Sequence, residues 1–165
     1  MSPRAALLLA ALLPALLLGG GPARAACVAC VCTATAVTLD FGIYVPTAAA
    51  PTDGVGSVRV RCSLGGTGVL PLLTSYDIGL SAGHSGSTAV RQMRSSGNRL
   101  DYNLYLDPAR SRVWGEAGTA DEATVPYGTS LFGTWVQTDI YGRITARQNV
   151  PAGSYSDTIT ITVSY

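Results

Sequence analysis

Residues Ser154-Tyr155-Ser156-Asp157-Thr158-Ile159-Thr160-Ile161-Thr162-Val163-Ser164-Tyr165 alternate apolar and polar side chains almost without interruption. Ile159, Ile161, Val163 and Tyr165 fall on one side; Thr158, Thr160, Thr162 and Ser164 fall on the other. Successive side chains of a β-strand point to opposite faces, so this is a strand with one face in a core and one in water. Shorter segments of similar character precede it: Thr33–Leu39, Ser57–Cys62, Ser75–Ala82, Leu100–Leu106 and Leu131–Thr138. Turn-rich stretches lie between them, from Pro46 to Gly56, Gly65 to Gly68, Gly83 to Ser87, Gly115 to Thr119 and Pro151 to Gly153. Beyond the first 25 residues no stretch of helical length carries an apolar face. Short strands joined by Gly and Pro turns predict an all-β antiparallel sandwich in one domain.

The terminal strand poses a packing question. A long half-apolar strand left at a sheet edge is an aggregation hazard. Either it lies mid-sheet, which is the simpler arrangement, or a partner supplies the missing neighbour.

Working back to the start, Met1-Ser2-Pro3-Arg4 is a short positive segment, and Ala5 to Leu18 is almost purely Ala and Leu. Gly19-Gly20-Gly21-Pro22 breaks that run, and Ala23-Arg24-Ala25 has the small-x-small pattern of a cleavage site. Residues 1–25 are expected to be a secretory signal peptide and residues 26–165 the mature domain. The apolar run is short for a membrane span, which needs about 20 residues. Cleavage removes two of the 11 arginines and none of the ten acids, leaving a net charge of −1. Charged residues make up 13% of the chain, about half the usual share, which excludes a charged disordered chain. All the basic residues are Arg, and no cluster of them reads as a nucleic-acid site. A single His disfavours His-based catalysis and His-rich metal sites, and no cofactor is expected.

Cys27, Cys30, Cys32 and Cys62 are the four cysteines, and export makes disulfides the default. Four cysteines allow three pairings, which spacing alone does not rank. Cys30 and Cys32 close too short a loop to bridge easily, which favours Cys32–Cys62 with a local Cys27–Cys30 bridge. A zinc site on C-x-x-C-x-C and a redox C-x-x-C are the alternatives; no strand–helix–strand pattern surrounds the latter.

The order of several segments resembles the spore coat protein U family, which includes subunits of archaic chaperone–usher pili of the Csu type. Cys32 followed by Leu39-Asp40-Phe41-Gly42-Ile43-Tyr44 is similar to that family's opening, and Gly56-Ser57-Val58-Arg59-Val60-Arg61-Cys62 to its second cysteine strand. Tyr76-Asp77-Ile78-Gly79-Leu80, Arg91-Gln92-Met93 and Leu100-Asp101-Tyr102-Asn103-Leu104-Tyr105 follow, then Val113-Trp114-Gly115 and Tyr141-Gly142-Arg143-Ile144. Gly153-Ser154-Tyr155-Ser156-Asp157 leads into the alternating strand. Each segment alone is weak; their order along the whole mature chain is specific.

The resemblance implies an incomplete immunoglobulin-like β-sandwich that lacks its final strand and is completed by a donor strand, a form of β-augmentation. It implies a structural, non-enzymatic subunit of a pilus or coat, exported through the periplasm to the cell surface. The partners it implies are a periplasmic chaperone, an outer-membrane usher and a neighbouring subunit that donates its N-terminal strand. Ile159, Ile161, Val163 and Tyr165 would then line the acceptor groove, with Val37 and Leu39 on its opposite edge. The terminal carboxylate of Tyr165 would meet basic chaperone residues, and the Cys32–Cys62 bridge agrees with the family. A donor strand needs about ten residues at about 3.3 Å each. Only Ala26 to Val31 precede Cys32 after cleavage, so a terminal or minor subunit, or a coat protein that does not polymerise by long donor exchange, is expected.

Two rival classes are weaker. His84 in Gly83-His84-Ser85-Gly86 lacks the nucleophile-elbow spacing of a hydrolase, and Asp107 with Glu116 reads as turn support near Trp114 rather than an acid–base pair. Tyr102, Tyr105, Trp114, Tyr127, Phe132 and Trp135 are candidates for stacking on sugar rings, although core packing accounts for most of them equally well. A stand-alone carbohydrate-binding, adhesive or spore-coat module is the alternative function.

Overall fold

A computed structural model of the chain describes residues 30–64, 75–127 and 133–165. The elements run in the order β1 (Cys30–Val37), β2 (Thr52–Leu64), β3 (Ser75–Leu80), a 3-10 turn (Gly83–Ser85), β4 (Arg91–Ser95), β5 (Asn98–Tyr105), β6 (Ala123–Pro126), β7 (Val136–Ile144) and β8 (Ile161–Ser164). All pairings are antiparallel, in one sheet ordered β1-β2-β7-β5-β4 and a second ordered β6-β3-β8. The all-β, two-sheet architecture expected from the alternation is therefore present.

The core lies between the sheets. Val58, Val60 and Cys62 of β2, Leu100, Tyr102 and Leu104 of β5, and Ile140 and Ile144 of β7 bury one face of the larger sheet. Tyr76, Ile78 and Leu80 of β3 answer from the smaller sheet, and Trp114 and Tyr127 plug the layer from connecting segments. Trp114 donates its indole N–H to the Ile78 carbonyl at 2.8 Å, so its bulk is buried with its one polar atom satisfied.

Cys32 and Cys62 are register partners on β1 and β2, and their sulfurs are bonded. Cys30 is also disulfide-bonded; Cys27, its expected partner, lies outside the described residues.

Five local expectations differ from the structure, the first being that β2 begins at Thr52, where residues 52–56 pair with β7 instead of forming turn. Ser95-Ser96-Gly97-Asn98 closes a two-residue hairpin between β4 and β5, with Ser96 and Gly97 both at positive φ (47° and 88°), so β4 is a full strand. Two successive positive-φ residues give the turn whose twist matches its strands. The four-residue β6 pairs with β3 and was too short to register as a period. β7 runs Val136–Ile144 rather than Leu131–Thr138; Gly142 interrupts its apolar alternation. The terminal segment is not one twelve-residue strand: Ser156 bridges to Arg94 on the larger sheet, and only Ile161–Ser164 ladders, with β3 of the smaller sheet.

Candidate functional site: an apolar groove between two strand edges

The terminal segment forms one wall of a groove of about 980 Å³ because it passes from one sheet to the other. Ser156 exchanges main-chain hydrogen bonds with Arg94 at the edge of the larger sheet. Four residues later Thr160 accepts from the Ser81 N–H, and Ile161 opens the ladder with Leu80. Tyr155, Asp157, Ile159, Ile161 and Val163 are the half-buried row, while Ser154, Ser156, Thr158, Thr160 and Thr162 are exposed. Among the described residues, β8 has β3 on one side and no strand on the other.

The opposite wall is the segment that leaves β1. Leu39 and Phe41 fold back over β2 and β7, where Gly54 and Gly142 are register partners. The two glycines make a notch in the inner face: a Cβ on Gly142 would lie 2.6 Å from Phe41 Cζ, and one on Gly54 2.9 Å from Leu39 Cδ2. Asp40 accepts the Gly42 N–H at 2.8 Å to turn the chain. Tyr44 pins the far end, donating its hydroxyl to the Thr145 carbonyl and accepting the Gln148 N–H.

The floor comes from Met93, Leu100, Leu104, Ile140 and Ile144. Tyr102 stands among them, edge-on to Phe41 with ring centroids 5.8 Å apart. Among the described residues, the charged lining side chains are Asp40 and Asp157.

Asp157 is fully committed within the protein. One oxygen takes the His84 ring nitrogen (2.5 Å), the His84 N–H (3.0 Å) and its neighbour Thr158 N–H (2.8 Å); the other takes the Tyr102 hydroxyl (2.8 Å). Burial alone would raise its pKa, but these bonds outweigh it and hold the carboxyl below its ordinary range. For the same reasons, burial first and then the carboxylate, Tyr102 is pushed well above an ordinary phenol.

Behind the groove, Arg91 is wholly buried. Its guanidinium donates to the carbonyls of Leu80, Ser81 and Trp114 and to Asn103 Oδ1, all at 2.8–2.9 Å. It fastens β3 and the Trp114 segment to the β4–β5 hairpin, which fixes the spacing of the two sheets. Burial lowers its pKa, while Tyr102, Asp157 and Glu116 oppose that shift.

Leu39, Ile159 and Ile161 lie along this cavity. Val163 is half-buried against the core beyond the groove, and Tyr165 is 43% exposed. Val37 pairs through its backbone with Ser57 at the end of β1. Phe41, Tyr44, Met93 and Asp157 were not singled out for the groove, although each lies in a segment already quoted.

The rival sites separate. Ser85 Oγ donates to the carbonyls of Ala82 and Ser87, so it is turned into its own backbone rather than toward the His84–Asp157 pair. Asp107 caps the N–H groups of Ser111 and Arg112, while Glu116 accepts the Ala82 N–H. Tyr102, Trp114 and Tyr127 are core residues, Phe132 lies outside the described residues, and Trp135 is 41% exposed.

Residues 23–162 match the Spore Coat Protein U domain. The chain belongs to the spore coat protein U family. Over 139 residues it is 32% identical to Protein U of Myxococcus xanthus, an alignment covering 78% of this chain and 72% of that protein. Among solved structures it is similar to a CsuC–CsuE chaperone–tip adhesion subunit pre-assembly complex from archaic chaperone–usher Csu pili of Acinetobacter baumannii, with a TM-score of 0.54 and 22% identity. That match covers 82% of this chain and 40% of the solved chain, and it supports the fold. A chaperone–tip adhesin complex of CFA/I fimbriae superposes more loosely, at a TM-score of 0.44 and 17% identity over 78% of this chain and 41% of that one. The family's segments now have physical roles. The Leu39–Tyr44 stretch is a groove wall, Arg91 a buried clamp, and Gly153–Asp157 the crossing between sheets.

Proposed function

We propose that this spore coat protein U family member is an exported, non-enzymatic structural subunit of a pilus or coat, and that its groove accepts a β-strand from another protein. The observation that carries this reading is the apolar groove flanked by the unpaired edge of β8. A strand entering there would pair its main chain with Thr160–Ser164 and set alternate side chains against Leu39, Ile159 and Ile161. Val37, Val163 and Tyr165 would extend the contact at its ends. During export the strand would come from a periplasmic chaperone working with an outer-membrane usher, and in the assembled fibre from a neighbouring subunit.

Residues 1–25 would be removed as the signal peptide, leaving 26–165 as the assembling domain. The finer reading, a terminal or minor subunit, has support in β1. Cys30–Val37 is laddered to β2 and bonded through Cys32, so it is not free to be donated.

Periplasmic expression with and without a family chaperone tests the proposal. The expected result is degradation or aggregation alone and recovery as a one-to-one complex with the chaperone. A stable, cooperative monomer would sink it and favour a stand-alone binding or coat module.

A further inference from the structure

Apolar side chains recur at every second position from Leu39 through Phe41 and Ile43 to Val45. Leu39 and Phe41 pack against the core, yet Ile43 is 89% exposed. Gly42 accounts for the change, because its φ of 67° breaks the extended backbone and its N–H is held by Asp40. A Cβ on Gly42 would meet nothing within 4 Å, so the glycine serves the left-handed backbone rather than a close approach. The next residue keeps Ile43 outside: the Tyr44 hydroxyl is bonded to both Thr145 and Gln148. Two residues further on, the Ala48 N–H meets the Val45 carbonyl and closes a turn.

Despite its exposure Ile43 lines the groove, so it stands on the rim. The opposite rim, Pro151 to Tyr155, is also fastened, with the Tyr155 hydroxyl donating to the Pro151 carbonyl at 3.0 Å. The two rims are joined at this end through Tyr44, since Gln148 leads by way of Val150 into Pro151. Ile43's own rim is uncharged apart from Asp40, whose Oδ1 already accepts the Gly42 N–H. Val45 is 49% exposed on the same loop but is not part of the groove lining.

We infer that Ile43 is a contact residue for the protein that lends the strand, packing on an apolar side chain of that protein at the rim of the groove; the inference rests on the strand-accepting reading given above. Single exposed apolar residues are ordinary on a protein surface. This one differs because a left-handed glycine turns it out and a doubly bonded tyrosine holds it there. A side chain presented on a fixed loop loses little freedom when a partner covers it. Its position names the occupant, because a partner that fills the groove as far as the Tyr44 tie comes up against Ile43 and not against Val45. The chemistry of the rim names the contact: an aliphatic side chain on an almost uncharged edge gains by burial, not by an ion pair.

The test uses the complex co-expressed with a family chaperone, purified and then challenged with an excess of differently tagged chaperone. Exchange of Ile43→Ser is expected to be about tenfold faster than that of the wild type, since burial lost from one aliphatic side chain appears mainly in the dissociation rate. Ile43→Leu should exchange close to the wild-type rate, and Val45→Ser should match it. If Ile43→Ser gives too little complex to follow, Ile43→Ala makes the same comparison. Wild-type exchange by the Ile43 variants, or equal acceleration by Val45→Ser, would overturn the inference and leave the strand-accepting groove standing. Unchanged exchange accompanied by loss of self-association of the complex in sedimentation would assign Ile43 to a contact between copies of this chain, and would overturn it as well. A wild-type chain that forms no chaperone complex would remove the groove reading itself, and this inference with it.

Discussion

The Tyr102 hydroxyl donates to Asp157 Oδ2 at 2.8 Å, joining β5 of the larger sheet to the segment that enters β8 of the smaller one, 55 residues apart in sequence. The same carboxylate holds His84, so one side chain sets where the groove wall crosses between sheets. Because its pKa is lowered in the folded state, Asp157 stabilises the fold above its unfolded value near 3.9, and this is lost as pH falls through the folded value. Asp157→Asn is expected to cost about 2 kcal/mol at neutral pH and to flatten the acid limb of stability below about pH 4. Urea midpoints across that range measure both effects. An unchanged acid limb would show that other carboxylates dominate, Asp53 first among them, since its bond from Arg143 also lowers its pKa.

Arg91 is a clamp whose value depends on all its partners. Arg91→Ala leaves the carbonyls of Leu80, Ser81 and Trp114 and the Asn103 side chain without their donor, for an expected loss of about 3–5 kcal/mol. Arg91→Lys should recover only part, since an ammonium cannot reproduce the planar fork. Equilibrium unfolding of the two variants gives the comparison, and full recovery by Lys would refute the fork argument.

Joining Cys32 to Cys62 closes a loop of 30 residues at the edge of the larger sheet. Replacing both with Ala is expected to destabilise by about 3–4 kcal/mol, mainly by freeing the unfolded chain. Melting with and without reductant tests it: the wild type should lose stability on reduction by more than the double variant does.

Gly142 has no room for a side chain. In Gly142→Ala the new Cβ meets the Phe41 ring, and overpacking of this kind costs about 1–3 kcal/mol. Its effect should extend beyond stability, because Phe41 is part of the groove wall. Strand binding is expected to weaken with it, and Phe41→Leu in the same chain should restore part of the lost stability. If the pair were no better than Gly142→Ala alone, the notch would not be the cause.

Ile161 faces the groove next to the free strand edge. Ile161→Glu is expected to prevent recovery of the chaperone complex, since a carboxylate would be buried without a partner. Thr162→Glu, on the exposed face of the same strand, should leave the complex intact. Co-purification of both variants distinguishes loss of the groove from general loss of β8.

Much of this protein was legible in its sequence. Period-two alternation is a local property, so the class of fold and the inward row Ile159, Ile161 and Val163 followed from neighbours in sequence. The ordered segments from Cys32 to Asp157 identified the family, because turn glycines, a buried Trp and paired cysteines leave residue-level marks. Other features were set by contacts between residues far apart. The alternation from Ser154 onward is the same whether one sheet or two receive it. The crossing is imposed by Arg94 on one side, Leu80 on the other, and Asp157 bonded to His84 and Tyr102 between them. Asp157 sits on the inward row, where an acid would count against burial; only its four donors, three of them from residues distant in sequence or on another strand's face, make that position stable. The notch at Gly54 and Gly142 likewise exists only because register brings two glycines, 88 residues apart, opposite each other beneath Phe41. Sequence determined which residues seek the interior. Tertiary structure decided which two edges they leave open, because strand pairing is a long-range choice that no local pattern encodes.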